Sequence, residues 1–128
     1  MDKSKIGSRE RIHFIGIGGI GMSGLAQVMK DMGFNVQGSD VTNSKNVERC
    51  KKIGIRVFTK QKNENIKNAT IIVRSSAIHN NNPEIKAAKN KKLTILKLLK
   101  AWEASRMIEL IERIPEKNNI TRASIFGG

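Results

Sequence analysis

Between Gly16 and Gly21 the chain reads GIGGIG, four glycines in six positions. Ordering so many residues without side chains is entropically unfavourable, so the fold must need bare backbone at this place. The run is preceded by RIHFIGI (residues 11–17), an apolar, β-branched stretch that reads as a strand. It is followed over residues 20–32 by Leu25, Val28, Met29 and Met32 at i, i+3, i+4 and i+7, the spacing of an amphipathic helix. Gly33 then stands where a helix end takes a left-handed residue. Strand, glycine turn and helix in direct succession predict a right-handed return to a second, parallel strand.

The rest of the chain continues that alternation. Strands are predicted over 35–40, 55–59, 70–76 and 93–96. Helices are predicted over 45–53, after Asn43 and Ser44 as caps, and over 83–90, with Pro83 in the first turn. Residues 63–68 read as a turn or short helix. A longer helix is expected over 98–114, ended before Pro115, with Met107, Leu110, Ile111 and Ile114 on one stripe. ITRASIFGG (120–128) reads as a short terminal strand. The expected fold class is therefore α/β: a Rossmann-like, doubly wound parallel five-stranded sheet of order 3-2-1-4-5, with an extra C-terminal helix. Residues 1–10 read as a basic N-terminal tail and 11–96 as the Rossmann-like domain. Residues 97–128 read as a divergent helical tail, where acidic residues become more frequent and the single Trp, Trp102, appears.

Composition narrows the function classes. With 38% hydrophobic and 27% charged residues the chain reads as globular. No run of about 18 apolar residues offers a membrane span, and MDKSKIGSRERIHF lacks the apolar middle of a signal peptide, so a cytoplasmic location is expected. The single Cys50 excludes an internal disulfide and a multi-cysteine zinc site, and reads as half-buried in a helix. His13 and His79 lack metal-ligand spacing, and no Ser/His/Asp or paired-carboxylate arrangement stands out, so neither a metal site nor a catalytic residue is assigned. The formal net charge of +13 raises the prospect of nucleic-acid binding. The basic residues are spread over several elements, however, with 18 Lys+Arg against 7 Asp+Glu in residues 1–96 and 6 against 4 in 97–128. Aromatics are only 4%, with no stacking rings between the cations, which argues against a nucleic-acid partner.

The glycine loop has its own chemistry. Its first glycine permits a tight turn off the strand, the second and third a close approach of backbone, and the fourth close packing of the helix. The helix N-terminus beyond offers unpaired N–H groups and partial positive charge, which together suit a diphosphate. Asp40 ends the second strand, 19 residues after Gly21, where such domains hold ribose hydroxyls; capping the next turn is the other reading. Position alone fits NAD as well as a uridine nucleotide. SSAIHNNNPEI (75–85) leaves the fourth strand on the same sheet edge, and Ser75 and Ser76 bring hydroxyl and N–H groups toward the crevice. His13, just before the loop, is either a further site residue or a packed strand histidine, and His79 reads as an exposed loop residue.

Taken together, IHFIGIGGIGMSGLA, GSD and SSAIHNNNPEI resemble the amino-terminal domain of the UDP-N-acetylmuramate–L-alanine ligases of the Mur ligase family, over about residues 10–96. The ligases that recycle cell-wall tripeptide share the plan with a less similar glycine loop. The resemblance implies a UDP-binding domain whose ligand is UDP-N-acetylmuramic acid. Gly16, Gly18, Gly19, Ile20 and Gly21 match the loop near the diphosphate. Ser39 and Asp40 match the strand end near the uridine, and Ser75, Ser76, Ala77 and Ile78 match a loop lining the same crevice. It further implies that the family's full-length enzymes use ATP and Mg²⁺ to make an acyl phosphate, which the L-alanine amine attacks. Here the pattern departs: about forty residues after SSAI, where the family carries a G-T-H-G-K-T phosphate loop, residues 115–121 read PEKNNIT, and G-x-x-x-x-G-K-[ST] occurs nowhere. No cofactor is therefore assigned to the chain, which is expected not to be catalytic alone. A truncated or frameshifted ligase, a chain recombined after residue 96, and a stand-alone UDP-sugar binder all stay open, as does a second chain supplying the ATP domain. Outside the resemblance, the alternatives are an NAD-binding redox or regulatory domain and a basic nucleic-acid-binding protein.

Overall fold

The computed structural model describes residues 8–98 and 104–113. In chain order the elements are β1 (Ser8–Ile15), α1 (Met22–Asp31), β2 (Phe34–Ser39), α2 (Lys45–Lys52) and β3 (Arg56–Phe58). A short 3-10 helix (Asn63–Ile66), β4 (Ile71–Ser75), α3 (Pro83–Asn90), β5 (Thr94–Leu98) and α4 (Ala104–Glu112) complete them. The sheet has five strands, all pairs parallel, in the order β3-β2-β1-β4-β5. The expected doubly wound architecture and strand order are found.

Local signals account for most boundaries. The Ser44 hydroxyl accepts from the Val47 amide at 3.3 Å and starts α2; Asn82 does the same for α3 through the Glu84 amide at 2.8 Å, with Pro83 at the first helical position. Gly33 and Gly54 carry φ of 97° and 92° just past α1 and α2, where a side chain would be strained.

Alternation along the strands divides the core between the two faces of the sheet. Ile12 and Phe14 of β1 and Ile71 and Val73 of β4 face one way, packed with Leu25 and Met29 of α1, Val47 and Cys50 of α2, and Ile111 of α4. Ile15 and Ile72 face the other way, onto Ile66 of the 3-10 helix and Ile85 and Ala88 of α3.

Four expectations shift. β1 begins at Ser8, inside the stretch read as a tail, and ends at Ile15. Val28 is exposed, since the buried stripe of α1 runs through Met22, Leu25, Ala26 and Met29. Cys50 is fully buried rather than half-buried, and burial pushes its thiol pKa up. Leu98 ends a strand rather than starting a helix, because β5 pairs with β4 as far as Ser75↔Leu98. Of the α4 stripe, Ile111 is buried; Ile114, Trp102 and the strand expected over 120–128 lie outside the described residues.

Candidate functional site

β1 has β2 on one side and β4 on the other, so the chain leaves it in opposite directions and a crevice opens beyond its carboxyl end. The glycine loop occupies that end. The amides of Gly16 and Ile17 both donate to the Ser39 carbonyl, at 2.9 and 3.0 Å, which ties the loop to the end of β2. Gly16 holds φ 81°, and the Gly19 amide donates to its carbonyl at 3.0 Å to close the turn. Gly21, at φ 80°, is the N-cap of α1 and provides no side-chain cap.

Asp40 fastens the loop from the second strand. Its Oδ2 accepts from the Gly18 amide and its Oδ1 from the Thr42 amide, each at 2.9 Å. The Asn46 side-chain amide donates to the Gly18 carbonyl at 3.1 Å. A Cβ on Gly18 would lie 2.7 Å from Val47 Cγ2 and 2.9 Å from both Asp40 Oδ2 and Ser44 Oγ. Gly18 is thus required by the protein's own packing against α2, where the sequence alone pointed to a close ligand. A similar constraint sits at Gly38, which the motif reading passed over. A Cβ there would meet Ile17 Cδ1 at 2.7 Å and the Phe14 carbonyl oxygen at 2.8 Å.

After these bonds are assigned, the amides of Ile20 and Gly21 have no partner among the described residues. The first turn of α1 carries no acidic residue of its own, which leaves its N–H groups at the positive end of the helix dipole. Ile20 is 91% exposed at the tip. Beside the loop, a groove of about 310 Å³ at the start of α2 is lined by Lys45, Arg49 and Lys52 with Ser44, Asn43 and Glu48. The unpartnered amides at the start of α1 suit an anion, and the cations lining the α2 groove add positive potential nearby.

The SSAI segment lies on the other side of the loop. Ser75 Oγ accepts from the Ala77 amide at 3.2 Å. A Cβ on Gly16 would stand 3.2 Å from Ile78 Cδ1 and 3.7 Å from Ser75 Oγ, so both residues adjoin the first glycine. Ser76 and Ala77 are exposed, as is His79.

Two candidates turn away from the crevice. His13 is fully buried on the α3 face: the Gln37 side-chain amide donates to Nδ1 at 2.8 Å, and Nε2 donates to Glu84 Oε1 at 2.7 Å. Ser39 is also fully buried, and its hydroxyl donates to the same oxygen at 2.7 Å. Glu84 Oε2 accepts from the Asn65 side chain at 2.6 Å and the Lys62 amide at 3.2 Å. Burial alone would raise this carboxyl pKa, but the hydrogen bonds from His13, Ser39 and Asn65 outweigh it and hold the pKa below its ordinary value. This buried hub joins β1, β2, the 3-10 helix and α3. An acid after Pro83 reads from sequence as a first-turn helix residue, and nothing local marks it as buried.

Fold and loop together define a doubly wound α/β domain of the glycine-loop class. The comparisons with known proteins are more specific. The model of the Mur ligase family, catalytic domain, matches residues 11–104. The UDP-N-acetylmuramate–L-alanine ligase of Pelagibacter ubique is 59% identical over 95 residues, which is 74% of this chain and 20% of that protein. That of Rickettsia typhi is 50% identical over 86 residues, 67% of this chain and 17% of that protein. The crystal structure of the UDP-N-acetylmuramate–alanine ligase of Thermotoga maritima superposes with a TM-score of 0.70 at 28% identity, covering 82% of this chain and 24% of that one. The shikimate dehydrogenase of Aquifex aeolicus, at 14% identity and a TM-score of 0.51, shares only the fold.

The chain belongs to the Mur ligase family, and carries its N-terminal domain. It spans about a fifth of the length of the curated relatives it matches. Among the described residues no helix is long and apolar enough to cross a membrane.

Proposed function

We propose that this chain binds UDP-N-acetylmuramic acid at the carboxyl end of β1, as the amino-terminal domain of an ATP-dependent L-alanine ligase of peptidoglycan precursor synthesis. The observation that carries the reading is the glycine loop itself, with Asp40 bonded to the Gly18 amide while the Ile20 and Gly21 amides have no partner among the described residues. That leaves N–H groups at the positive end of the α1 dipole for a diphosphate. Gly16, Gly19 and Gly21 shape this cradle, and Gly18 locks it to α2. Ser75 and Ile78 stand beside it, with Ser76 and Ala77 exposed next to them. Ser39 serves through its backbone carbonyl. His13 acts from below, through the Glu84 hub that holds the end of β2.

The sequence contains no Walker-type phosphate loop, so these residues give ATP no lysine and Mg²⁺ no hydroxyl of that kind. Acyl activation therefore belongs to protein outside these 128 residues, and the chain alone is expected to bind the sugar nucleotide without ligating L-alanine.

The test is calorimetric titration of the purified chain with UDP-N-acetylmuramic acid, with NADH and ATP in parallel at two salt concentrations. Saturable binding of the UDP-sugar with a shallow salt dependence supports the reading. Binding of NADH instead refutes it. Ile20→Glu gives the sharper check, because it places a negative charge at the tip of the loop and removes no buried contact. We expect the affinity to fall roughly tenfold from charge repulsion, with an unchanged melting temperature.

A further inference from the structure

Arg74 lies near the end of β4 with 9% of its surface exposed. Its Nη1 donates to Asn80 Oδ1 at 2.6 Å, and its Nη2 donates to the Ile78 carbonyl. Its Nε is buried and has no partner among the described residues. Among the described residues no carboxylate forms an ion pair with it. A buried cation with only neutral partners is an unfavourable choice, and an apolar side chain would continue the Ile71–Ile72–Val73 run at lower free energy.

What the guanidinium supplies is control of the segment after it. Ser75 already turns that segment, its carbonyl accepting from the Ile78 amide at 3.3 Å. Arg74 takes the Ile78 carbonyl and the Asn80 side chain from the other side. Ile78, held at both its amide and its carbonyl, packs against the α3-side core and stands over Gly16, with Cδ1 3.2 Å from where a Cβ would be.

We propose that Arg74 is a positioning residue for the nucleotide crevice: its grip on Ile78 and Asn80 seats the Ile78 side chain on Gly16 and so sets the spacing between the SSAI and glycine loops. The effect on ligand rests on the UDP-sugar reading, whereas the grip itself does not.

The experiment compares Arg74→Met and Arg74→Lys with the unmodified chain. Isoleucine-methyl-labelled protein reports the nuclear Overhauser contact between the Ile78 δ1 methyl and the Gly16 α protons. Thermal melts and titration with UDP-N-acetylmuramic acid follow. In Arg74→Met the melting temperature should hold or rise, because the uncompensated cation is gone. The Ile78–Gly16 contact should weaken and the affinity fall roughly tenfold through misplacement of the loop. Arg74→Lys, which keeps the charge without the planar fork, should weaken the contact partly; it carries the test if Arg74→Met does not fold. An undiminished contact in the folded variants overturns the proposal. So does a lost contact with unchanged affinity, or a fall in melting temperature that parallels the lost contact. If the unmodified chain binds no UDP-sugar, the functional reading fails, and the methyl contact still decides whether Arg74 holds the loop.

Discussion

Glu84→Ala should destabilise the domain by about 3–5 kcal/mol, the range for removing one partner from a buried charged cluster. The substitution leaves four donors facing an empty site: His13 Nε2, the Ser39 hydroxyl, the Asn65 side chain and the Lys62 amide. His13 and Ser39 are fully buried and lose their acceptor outright, whereas Asn65 keeps its bond to the Lys60 carbonyl and Lys62 lies at the surface. Urea titration at neutral pH measures the loss. Glu84→Gln keeps the shape but turns an NH₂ group toward the donors on one side, and should lose less, about 1–3 kcal/mol. Acid should act through the same group. The folded carboxyl titrates below its ordinary value of 4.5, so its contribution is complete above that pH and is lost as pH falls through the lower folded value. Unfolding curves at successively lower pH should therefore show a stability decline in the unmodified chain that Glu84→Gln largely removes. An equal decline in both would assign the acid sensitivity to other carboxylates.

Gly38→Ala is the second large effect, about 3 kcal/mol and roughly 10–20 °C in melting temperature. The added methyl would meet Ile17 Cδ1 at 2.7 Å, and Ile17 Cβ and the Phe14 carbonyl oxygen each at 2.8 Å. Rotation of Ile17 relieves only the first of these contacts. The other two require β1 to part from β2 or the loop to lift off Ser39. Gly24→Ala is the control, because a Cβ at Gly24 meets nothing within 4 Å. It should hold or raise stability by adding helix propensity. Thermal melts of the two variants separate a glycine needed for space from one that is not.

The contrast between these glycines shows where sequence reading stops. The strands, the Ser44 cap and the start of α3 at Pro83 were legible because each rests on a few neighbouring residues, and the strand order followed from the doubly wound class that their alternation implies. Leu98 was not: LKLLKAWEASRMIEL has a helical rhythm, and only pairing to Ser75 of β4 claims Leu98 for the sheet. Gly18 matched a ligand-binding motif, yet what fills the space beside it is Val47, 29 positions later. Ser39 and His13 were legible as positions near the strand ends, but not as donors to one buried oxygen, because Glu84 lies 45 and 71 residues further along. Arg74 carried no motif signal, since its partners Ile78 and Asn80 are polar contacts that no periodicity marks. The resemblance located the loops, and the structure supplied the bonds that hold them.

The central position of β1 bears on how the chain acquires this fold. β1 pairs with β2 through Ile12↔Val36, but its other edge waits for β4, at Ile12↔Ile71. During synthesis β1, β2 and β3 emerge first, so the edge of β1 from Ile12 to Ile15 stays open until residues beyond 70 leave the ribosome. Long-range parallel pairing of this kind is slow, and an open apolar edge is a template for association. Nascent chains halted before β4 should be markedly more prone to aggregate than those released after it.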